Sequence, residues 1–372
     1  MALAGVEPAL PAGGLAHRLP VFHPLTVERV EPLTDEAVTV SFAVPDELAG
    51  DYEFRAGQHL TLRRHIGGEE IRRTYSICAA EGSGQLRVAV KRLPGGMFST
   101  WVTERLRPGE VVDVMTPTGR FTVELAPERA RAYAAVAAGS GITPVLSLCS
   151  TILAVEPAST VTLLYGNRTT RDVMFLEELA DLKDRHPDRF TLVHVLSREP
   201  QDVELFSGRL DADRLRRFLD TLLPPAEVDE WFLCGPFAMV EGAREALHSA
   251  GVPSRAIHLE LFHVEGQPPR GTVEAAGSDR PAVSATVTLA GRSTSFDLDP
   301  RDTVLEGTLR VRPDAPFACK GGVCGTCRAR LVAGEVEMER NYALEDDELA
   351  AGYVLACQSH PRGDRVVLDY DS

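Results

Sequence analysis

Four of the seven cysteines fall in a pattern that can hold iron. The run Cys319-Lys-Gly-Gly-Val-Cys324-Gly-Thr-Cys327 is followed, after 29 intervening residues, by Cys357. The spacing C-x4-C-x2-C…C suits a [2Fe–2S] cluster, with three thiolates on one loop, one from a distant segment, and two on each iron. Gly321, Gly322 and Gly325 are expected at positive φ, because a loop wrapped around an inorganic cluster needs close backbone approach. Its N–H groups would then turn toward the sulfides and tune the potential. Four thiolates also suit tetrahedral zinc. Structural zinc sites usually pair two short knuckles, whereas here the fourth cysteine stands alone, and a visible absorption spectrum separates the two. The other cysteines, Cys78, Cys149 and Cys234, are expected as free thiols.

Two further stretches have types and spacing suited to a flat ring with a phosphate tail. In Arg72-Arg73-Thr74-Tyr75-Ser76-Ile77, Arg73 offers a fixed charge, Tyr75 a face and Ser76 a hydroxyl for a ring edge. In Lys91-Arg92-Leu93-Pro94-Gly95-Gly96-Met97-Phe98-Ser99-Thr100, a Gly-Gly pair opens a helix over Met97–Val102, whose free N–H groups and positive dipole end suit a pyrophosphate. Taken singly, Tyr75 could be a strand core residue and Gly95-Gly96 a plain hairpin turn. A third stretch, Gly139-Ser140-Gly141-Ile142-Thr143-Pro144, departs from G-x-G-x-x-G in its last position but follows a buried strand and opens a helix, as a dinucleotide loop must. Pro144 fits a first helical turn. Cys234-Gly235-Pro236 ends another strand at the same sheet edge. Asn167-Arg168 and Ser197-Arg198 follow the second and third strands. An acidic residue near a second strand end usually selects NAD and an arginine accommodates the 2′-phosphate, so NADPH is expected, with NADH possible. The alternative is that both arginines are solvated surface charges.

The elements that must position these residues change character along the chain. From Phe22 to about Val123 apolar residues alternate with period two in short runs, which predicts an antiparallel β-barrel. From Arg131 to Phe262 strands alternate with helices, which predicts a doubly wound parallel sheet with ligands at its carboxyl edge. The predicted helices include Met174–Arg185, and the predicted strands include Arg328–Val332 and Arg365–Leu368. A small mixed sheet of about 90 residues follows, marginal on its own core, which the cluster would staple. The expected division is a disordered tail (1–20), a flavin-binding barrel (21–126), a nucleotide-binding α/β domain (127–263), a linker (264–281) and a [2Fe–2S] domain (282–372). With 372 residues, two or three domains are expected. A net charge of −15 argues against nucleic acid or an anionic membrane as main partner. No 18-residue apolar stretch exists to span a bilayer. Residues Met1 to Pro20, with no Lys or Arg before Arg18, lack the charged start of a signal peptide. The expectation is therefore a cytoplasmic protein with reduced thiols.

Joined in this order, the motifs resemble the ferredoxin–NADP reductase superfamily in the form that carries a C-terminal plant-type ferredoxin domain of β-grasp type. The resemblance covers about Phe22 to Tyr370. It implies that Arg73, Tyr75 and Ser76 bind the flavin and that Lys91 and Gly95 to Ser99 (Gly95, Gly96, Met97, Phe98, Ser99) hold its phosphates. Gly139 to Pro144 and Cys234 to Pro236 would flank the nicotinamide. It favours FAD over FMN, and likens Phe262 to an aromatic that stacks on the flavin ring, although Phe262 could equally be core. Cys324–Met338, Asn341–Leu349 and Gly352–Pro361 look most like reductases of a di-iron oxygenase that converts phenylacetyl-CoA to its ring epoxide in phenylacetate degradation. The function so implied is an electron relay: NAD(P)H to FAD, FAD to the cluster, cluster to oxygenase, with no side chain assigned as catalytic acid, base or nucleophile. Alternatives are the reductase of another ring-hydroxylating dioxygenase or monooxygenase, and a redox-sensing binding protein. Glu345-Asp-Asp-Glu348 offers a docking patch for a basic partner, or simply a solvated face.

Overall fold

The computed structural model describes residues 19–262 and 282–372. The tail expected at 1–20, apart from its last two residues, and the linker expected at 264–281 lie outside the described residues. The first unit is a six-stranded antiparallel sheet of β1 (Phe22–Thr34), β2 (Ala37–Ala43), β3 (His59–Ile66), β4 (Glu69–Ser76), β5 (Leu86–Lys91) and β6 (Val111–Met115), in the order β4-β3-β6-β1-β2-β5. A bridge between Ile77 and Val88 brings the two edges together into a barrel. Inward residues alternate along the strands (Leu25 and Val27; Val88 and Val90) and bury fully, as period-two sequences on a half-solvated sheet do. Helix α1 (Met97–Glu104) plugs the barrel with Phe98, Trp101 and Val102.

The second unit is a five-stranded parallel sheet, in the order β11-β10-β7-β8-β9. Its strands are β7 (Ala132–Ala138), β8 (Thr160–Asn167), β9 (Phe190–Leu196), β10 (Glu230–Gly235) and β11 (Ile257–Leu261), and its helices α2 (Ile142–Val155), α3 (Leu176–Arg185), α4 (Ala212–Thr221) and α5 (Phe237–Ser249). The side chains of α2 and α3 pack on one face and those of α4 and α5 on the other. The chain order reverses between β7 and β10, the topological switch where such sheets bind ligands. Helix α3 begins at Leu176 rather than at the expected Met174. Phe175 adopts a left-handed conformation with φ 60°, which ends any helix running into it, and both Met174 and Phe175 are pulled into the core.

The third unit is a mixed sheet, β13-β12-β16-β14-β15, of β12 (Val283–Leu289), β13 (Arg292–Leu298), β14 (Arg328–Met338), β15 (Tyr353–Leu355) and β16 (Ser359–Asp369). Helices α6 (Val304–Val311) and α7 (Asp346–Ala350) flank it. Thr303 caps α6 by accepting from the Glu306 N–H while Glu306 reaches back to the Thr303 N–H, a reciprocal cap. Among the described residues no helix is long and apolar enough to cross a membrane.

The barrel and the parallel sheet share one core. Ala37, Ala56, Cys78, Ala89 and Phe121 pack with Ile142, Val145 and Leu148 of α2. Gly57 lies at this junction: a Cβ there would be 1.8 Å from the carbonyl oxygen of Phe121, on the barrel side, and 3.5 Å from the Leu148 side chain of α2. Ser147 donates to the Ala79 carbonyl at 2.6 Å, and Arg87 grips Glu178 with two bonds of 2.9 and 2.7 Å.

Candidate cofactor sites at the domain junction

The four cluster cysteines lie on the loop between α6 and β14 and just after β15. Cys319 pairs with Cys324 and Cys327 with Cys357. The hydrogen bond from the Cys324 thiol, helped by the Gly321 N–H at 3.3 Å, holds Cys319 down to about 5. Cys357 is lowered chiefly by its bond from Cys327, and the Gln358 amide donates to its sulfur at 3.4 Å. Among the described residues no three His, Cys, Asp or Glu side chains converge as a single metal ion requires. Two close thiol pairs, three thiols from one loop and the fourth from just after β15, are the donor set of a two-iron centre. The buried Thr326 hydroxyl hydrogen-bonds to the Cys324 sulfur, a donor of the kind that tunes a thiolate ligand. These residues therefore fit the cluster. The loop bends as expected at Gly322 (φ 78°) and Gly325 (φ 66°), but Gly321 is not at positive φ; the third left-handed residue is Lys320 (φ 52°).

On the barrel, Arg73 and Tyr75 share one face of β4 by the strand's period of two. Arg73 is exposed, and its guanidinium donates to the Arg72 carbonyl at 2.7 Å. Tyr75 stands 6.0 Å from Phe98, which stacks edge-on against Trp101 at 5.4 Å. Burial pushes the Tyr75 phenol above its usual range. Lys91 ends β5, and the Gly95–Ser99 loop follows. Gly95 has φ 73° with open space where a Cβ would be, and Gly96 caps α1 with no side-chain bond, so no side chain caps the first helical N–H groups. Ser99 holds the loop itself: its hydroxyl accepts from the Leu93 N–H and donates to the Gly96 carbonyl. Met97 is 55% exposed on the loop's outer side.

On the parallel sheet, Gly139 (φ 53°) opens on free space, while Gly141 is clamped: a Cβ there would meet the Cys234 carbonyl oxygen at 2.1 Å. The two strand-end loops, Gly139–Pro144 and Cys234–Pro236, thus touch. Thr143 donates to the Ser140 carbonyl, and Tyr165 to that of Gly139. The Asn167 amide is buried at the end of β8 and hydrogen-bonds to the Tyr165 hydroxyl. Ser197 donates to the Asn167 carbonyl at 3.2 Å. Arg168 is engaged by Asp172 and by Glu36 from the barrel. Arg198 is exposed and makes no side-chain ion pair among the described residues. Phe262, just past β11, is 39% exposed and so is not core.

The sequence reading missed Glu260 and His59. The Ser76 hydroxyl donates to Glu260 Oε2 at 2.9 Å, across the boundary between barrel and sheet. Glu260 Oε1 lies 3.7 Å from His59 Nδ1, and both side chains are largely buried. Glu260 is in register with Cys234 on β10, whose thiol is pushed well up by burial and then by the Glu260 charge. A carboxylate inside the apolar strand Ile257–Leu261, two residues before Phe262, was the available signal. The acidic run at 345–348 also divides. Glu345, Asp346 and Asp347 are exposed, but Glu348 is buried, bound to Arg328 at 2.8 Å and to Arg120 of the segment joining barrel and sheet. That residue is a clasp between units rather than part of a docking face.

Three family descriptions match in order: an oxidoreductase FAD-binding domain over residues 24–123, an oxidoreductase NAD-binding domain over 135–245, and a 2Fe-2S iron-sulfur cluster binding domain over 287–362. The chain is 46% identical over 352 residues, 94% of its length and 98% of the relative's, to a subunit of the 1,2-phenylacetyl-CoA epoxidase of Escherichia coli (strain K12). It is 36% identical, over 93% of its length and 95% of the relative's, to the ferredoxin reductase component of 3-ketosteroid-9-alpha-monooxygenase from Mycobacterium tuberculosis (strain ATCC 25618 / H37Rv). Among solved structures it is similar to phthalate dioxygenase reductase, with a TM-score of 0.58 and 25% identity over 94% of this chain and 98% of that one. The chain therefore belongs to the ferredoxin–NADP reductase superfamily in its form with a C-terminal [2Fe–2S] ferredoxin domain, an oxidoreductase that uses FAD, NAD(P)H and an iron–sulfur cluster.

Proposed function

We propose that this chain is the reductase component of a multicomponent oxygenase, taking electrons from NADPH and delivering them to a di-iron oxygenase that epoxidises phenylacetyl-CoA. In this reading residues 21–126 bind FAD, 127–263 bind the nicotinamide nucleotide and 282–372 hold the cluster. The observation that carries it is the 46% identity, spanning all three domains, to a subunit of a phenylacetyl-CoA epoxidase. When bound, FAD accepts a hydride and the [2Fe–2S] centre exchanges single electrons, so the pair converts a two-electron donor into a one-electron source.

The side chains bind, orient and exclude water. Arg73 sets a positive charge on the flavin phosphates, and the N–H groups of Gly96 to Ser99 complete that cradle. Tyr75, backed by Phe98, supplies a flat apolar face. Ser76, held by Glu260, fixes a hydroxyl at the ring edge. Gly139 to Pro144 let the nucleotide's pyrophosphate approach the start of α2, and Cys234 to Pro236 wall off the nicotinamide. Asn167 and Ser197 support the ribose side. Phe262 covers the flavin from the nucleotide side. Cys319, Cys324, Cys327 and Cys357 ligate the irons. No residue is assigned as catalytic acid or base.

For the 2′-phosphate, Arg198 is the better candidate, because Arg168 is already neutralised by Glu36 and Asp172. A preference for NADPH is expected in steady-state kinetics with both nucleotides, and equal kcat/KM would remove it. The deciding experiment for the whole reading is oxygenase-dependent NADPH consumption with phenylacetyl-CoA present, using a reconstituted epoxidase. The 36% identity to a ketosteroid monooxygenase reductase component supports a second reading, the reductase of a different oxygenase. Coupling to that oxygenase and not to the epoxidase would favour it. A redox sensor would scarcely oxidise NADPH with an artificial acceptor.

A further inference from the structure

Arg72 is the neighbour of Arg73 on β4 but points to the opposite face. It is 7% exposed. Its Nε donates to Glu70 at 2.8 Å, and its guanidinium carbon lies over two rings, 3.8 Å from the centre of Phe317 and 5.0 Å from that of Phe22. Nη1 donates to the Phe317 carbonyl at 3.4 Å. Phe317 is two residues before Cys319, and its ring also meets the Lys320 ammonium at 4.8 Å. A guanidinium is costly to bury; this one is placed with a single carboxylate partner on its own strand and its flat face on the cluster loop. Stacking plus a carbonyl bond from a planar fork fixes both distance and angle, which a lysine could not do.

The loop is braced from its other side as well. Val323, between the cluster cysteines, and Tyr342 pack into the core of the parallel sheet. Tyr342 meets Phe237 edge-on at 5.7 Å, and Phe237 begins α5 directly after Cys234-Gly235-Pro236.

We propose that the Arg72–Phe317 stack is the positioning contact for electron transfer inside the chain, holding the cluster loop against the strand that carries Arg73, Tyr75 and Ser76. This rests on the relay reading above. Arg72 is on β4 and Phe317 is on the loop ahead of Cys319, so neither belongs to the strand-end loops of the parallel sheet or to the four cysteines, and the contact governs the internal step alone. One NAD(P)H gives up two electrons and one proton is released, and two one-electron acceptors are reduced; the contact changes the rate, not this balance.

The test uses the full-length holoprotein with Phe317→Leu, Phe317→Tyr and Arg72→Lys. Stopped-flow absorbance follows reduction by NADPH separately in the flavin and cluster bands, and hydrogen exchange follows the amides of Ala315, Phe317 and Ala318 in the resting protein. In Phe317→Leu, flavin reduction should keep its wild-type rate while cluster reduction slows about tenfold or more, as small displacements of reacting centres do. The Ala315, Phe317 and Ala318 amides should exchange faster. Phe317→Tyr, which keeps the ring, should restore both. Arg72→Lys should behave like Phe317→Leu, because charge without a planar fork is not enough. Cluster reduction at the wild-type rate in Phe317→Leu would overturn the proposal. So would equal slowing of both bands, since that marks a general structural role. If NADPH fails to bleach the flavin of the wild-type protein, the relay reading itself falls, a result distinct from either.

Discussion

The Ser76 hydroxyl has one proton, and it gives it to Glu260 across the junction of barrel and sheet. Removing it in Ser76→Ala should slow flavin reduction by NADPH, measured per bound flavin, roughly tenfold to a hundredfold, because the ring edge and the nicotinamide lose a shared reference point. Rapid-mixing kinetics check this; a rate within twofold of wild type would show that the bond only holds the domains together. Gly141 is a steric requirement of another kind. With the Cys234 carbonyl oxygen 2.1 Å from an added Cβ, Gly141→Ala should raise the KM for NADPH and cost about 1–3 kcal/mol in unfolding stability, the usual penalty of overpacking. The thiols outside the cluster act through pH. Burial pushes Cys78 and Cys149 from an ordinary value near 9 up to about 12. Between those values the unfolded chain loses protons that the folded chain keeps, so stability is complete below about pH 9 and falls as pH rises toward 12. Each thiol contributes a slope of about 1.4 kcal/mol per pH unit in that window. Urea unfolding between about pH 8 and 10.5 should show the decline, and in Cys78→Ala it should become shallower by about 1.4 kcal/mol per pH unit while Cys149 keeps its share.

At the scale of elements, strands with a strong period were legible in the sequence almost to the residue. Val111–Met115, Ala132–Ala138 and Ile257–Leu261 end where the pattern ends, because apolar alternation or a buried run stops at a polar turn. The failures have local causes. β14 continues to Met338 and β16 begins at Ser359, past the expected ends, because glycines inside them read as turns. Gly334 (φ 89°) instead forms a bulge against Arg365, where a Cβ would lie 2.1 Å from a carbonyl oxygen, and Gly363 bends β16 at φ 80°. Within the candidate site, residue types carried the cysteines and glycine loops, since few other arrangements explain them. Glu260, His59 and Arg72 were not legible as site residues, because their partners are distant in sequence; Arg72 and Phe317 are 245 positions apart. Helix α7 gives an element-scale prediction. Glu348, 7% exposed, serves both Arg328 and Arg120, the latter 51% exposed. Losing the shared acceptor in Glu348→Gln should destabilise the C-terminal unit by about 1–2 kcal/mol, below the cost of breaking a fully buried pair because Arg120 is half in water. The same change in Asp346 or Asp347, which point outward, should stay within about 0.5 kcal/mol. Equal effects at all three positions would mean that the run acts only as a solvated charge.

For the molecule as a whole, the cores determine how many cooperative units there are. The barrel and the parallel sheet cannot separate without splitting the apolar cluster that joins Ala56, Cys78, Ala89 and Phe121 to α2, nor without breaking the Arg87–Glu178 and Ser147–Ala79 bonds. The C-terminal sheet has its own core around Val287, Leu305, Leu355 and Leu368, and meets the rest through a few side chains: Phe317, Val323, Tyr342 and Glu348. Calorimetry should therefore resolve two transitions, one for the barrel and parallel sheet together and one for the C-terminal unit. The small unit draws Cys327 and Cys357 into its core, so its stability should depend on the metal centre that those thiols complete. In Cys357→Ser, iron content should fall to background and the second transition should move down or vanish, while the first transition and the flavin stay as in the wild type. A first transition that falls by the same amount would show that the docked interface, rather than the separate cores, sets the cooperativity. The contacts of Arg72 with the cluster loop and of Phe237 with Tyr342 would then be stability contacts before they are anything else.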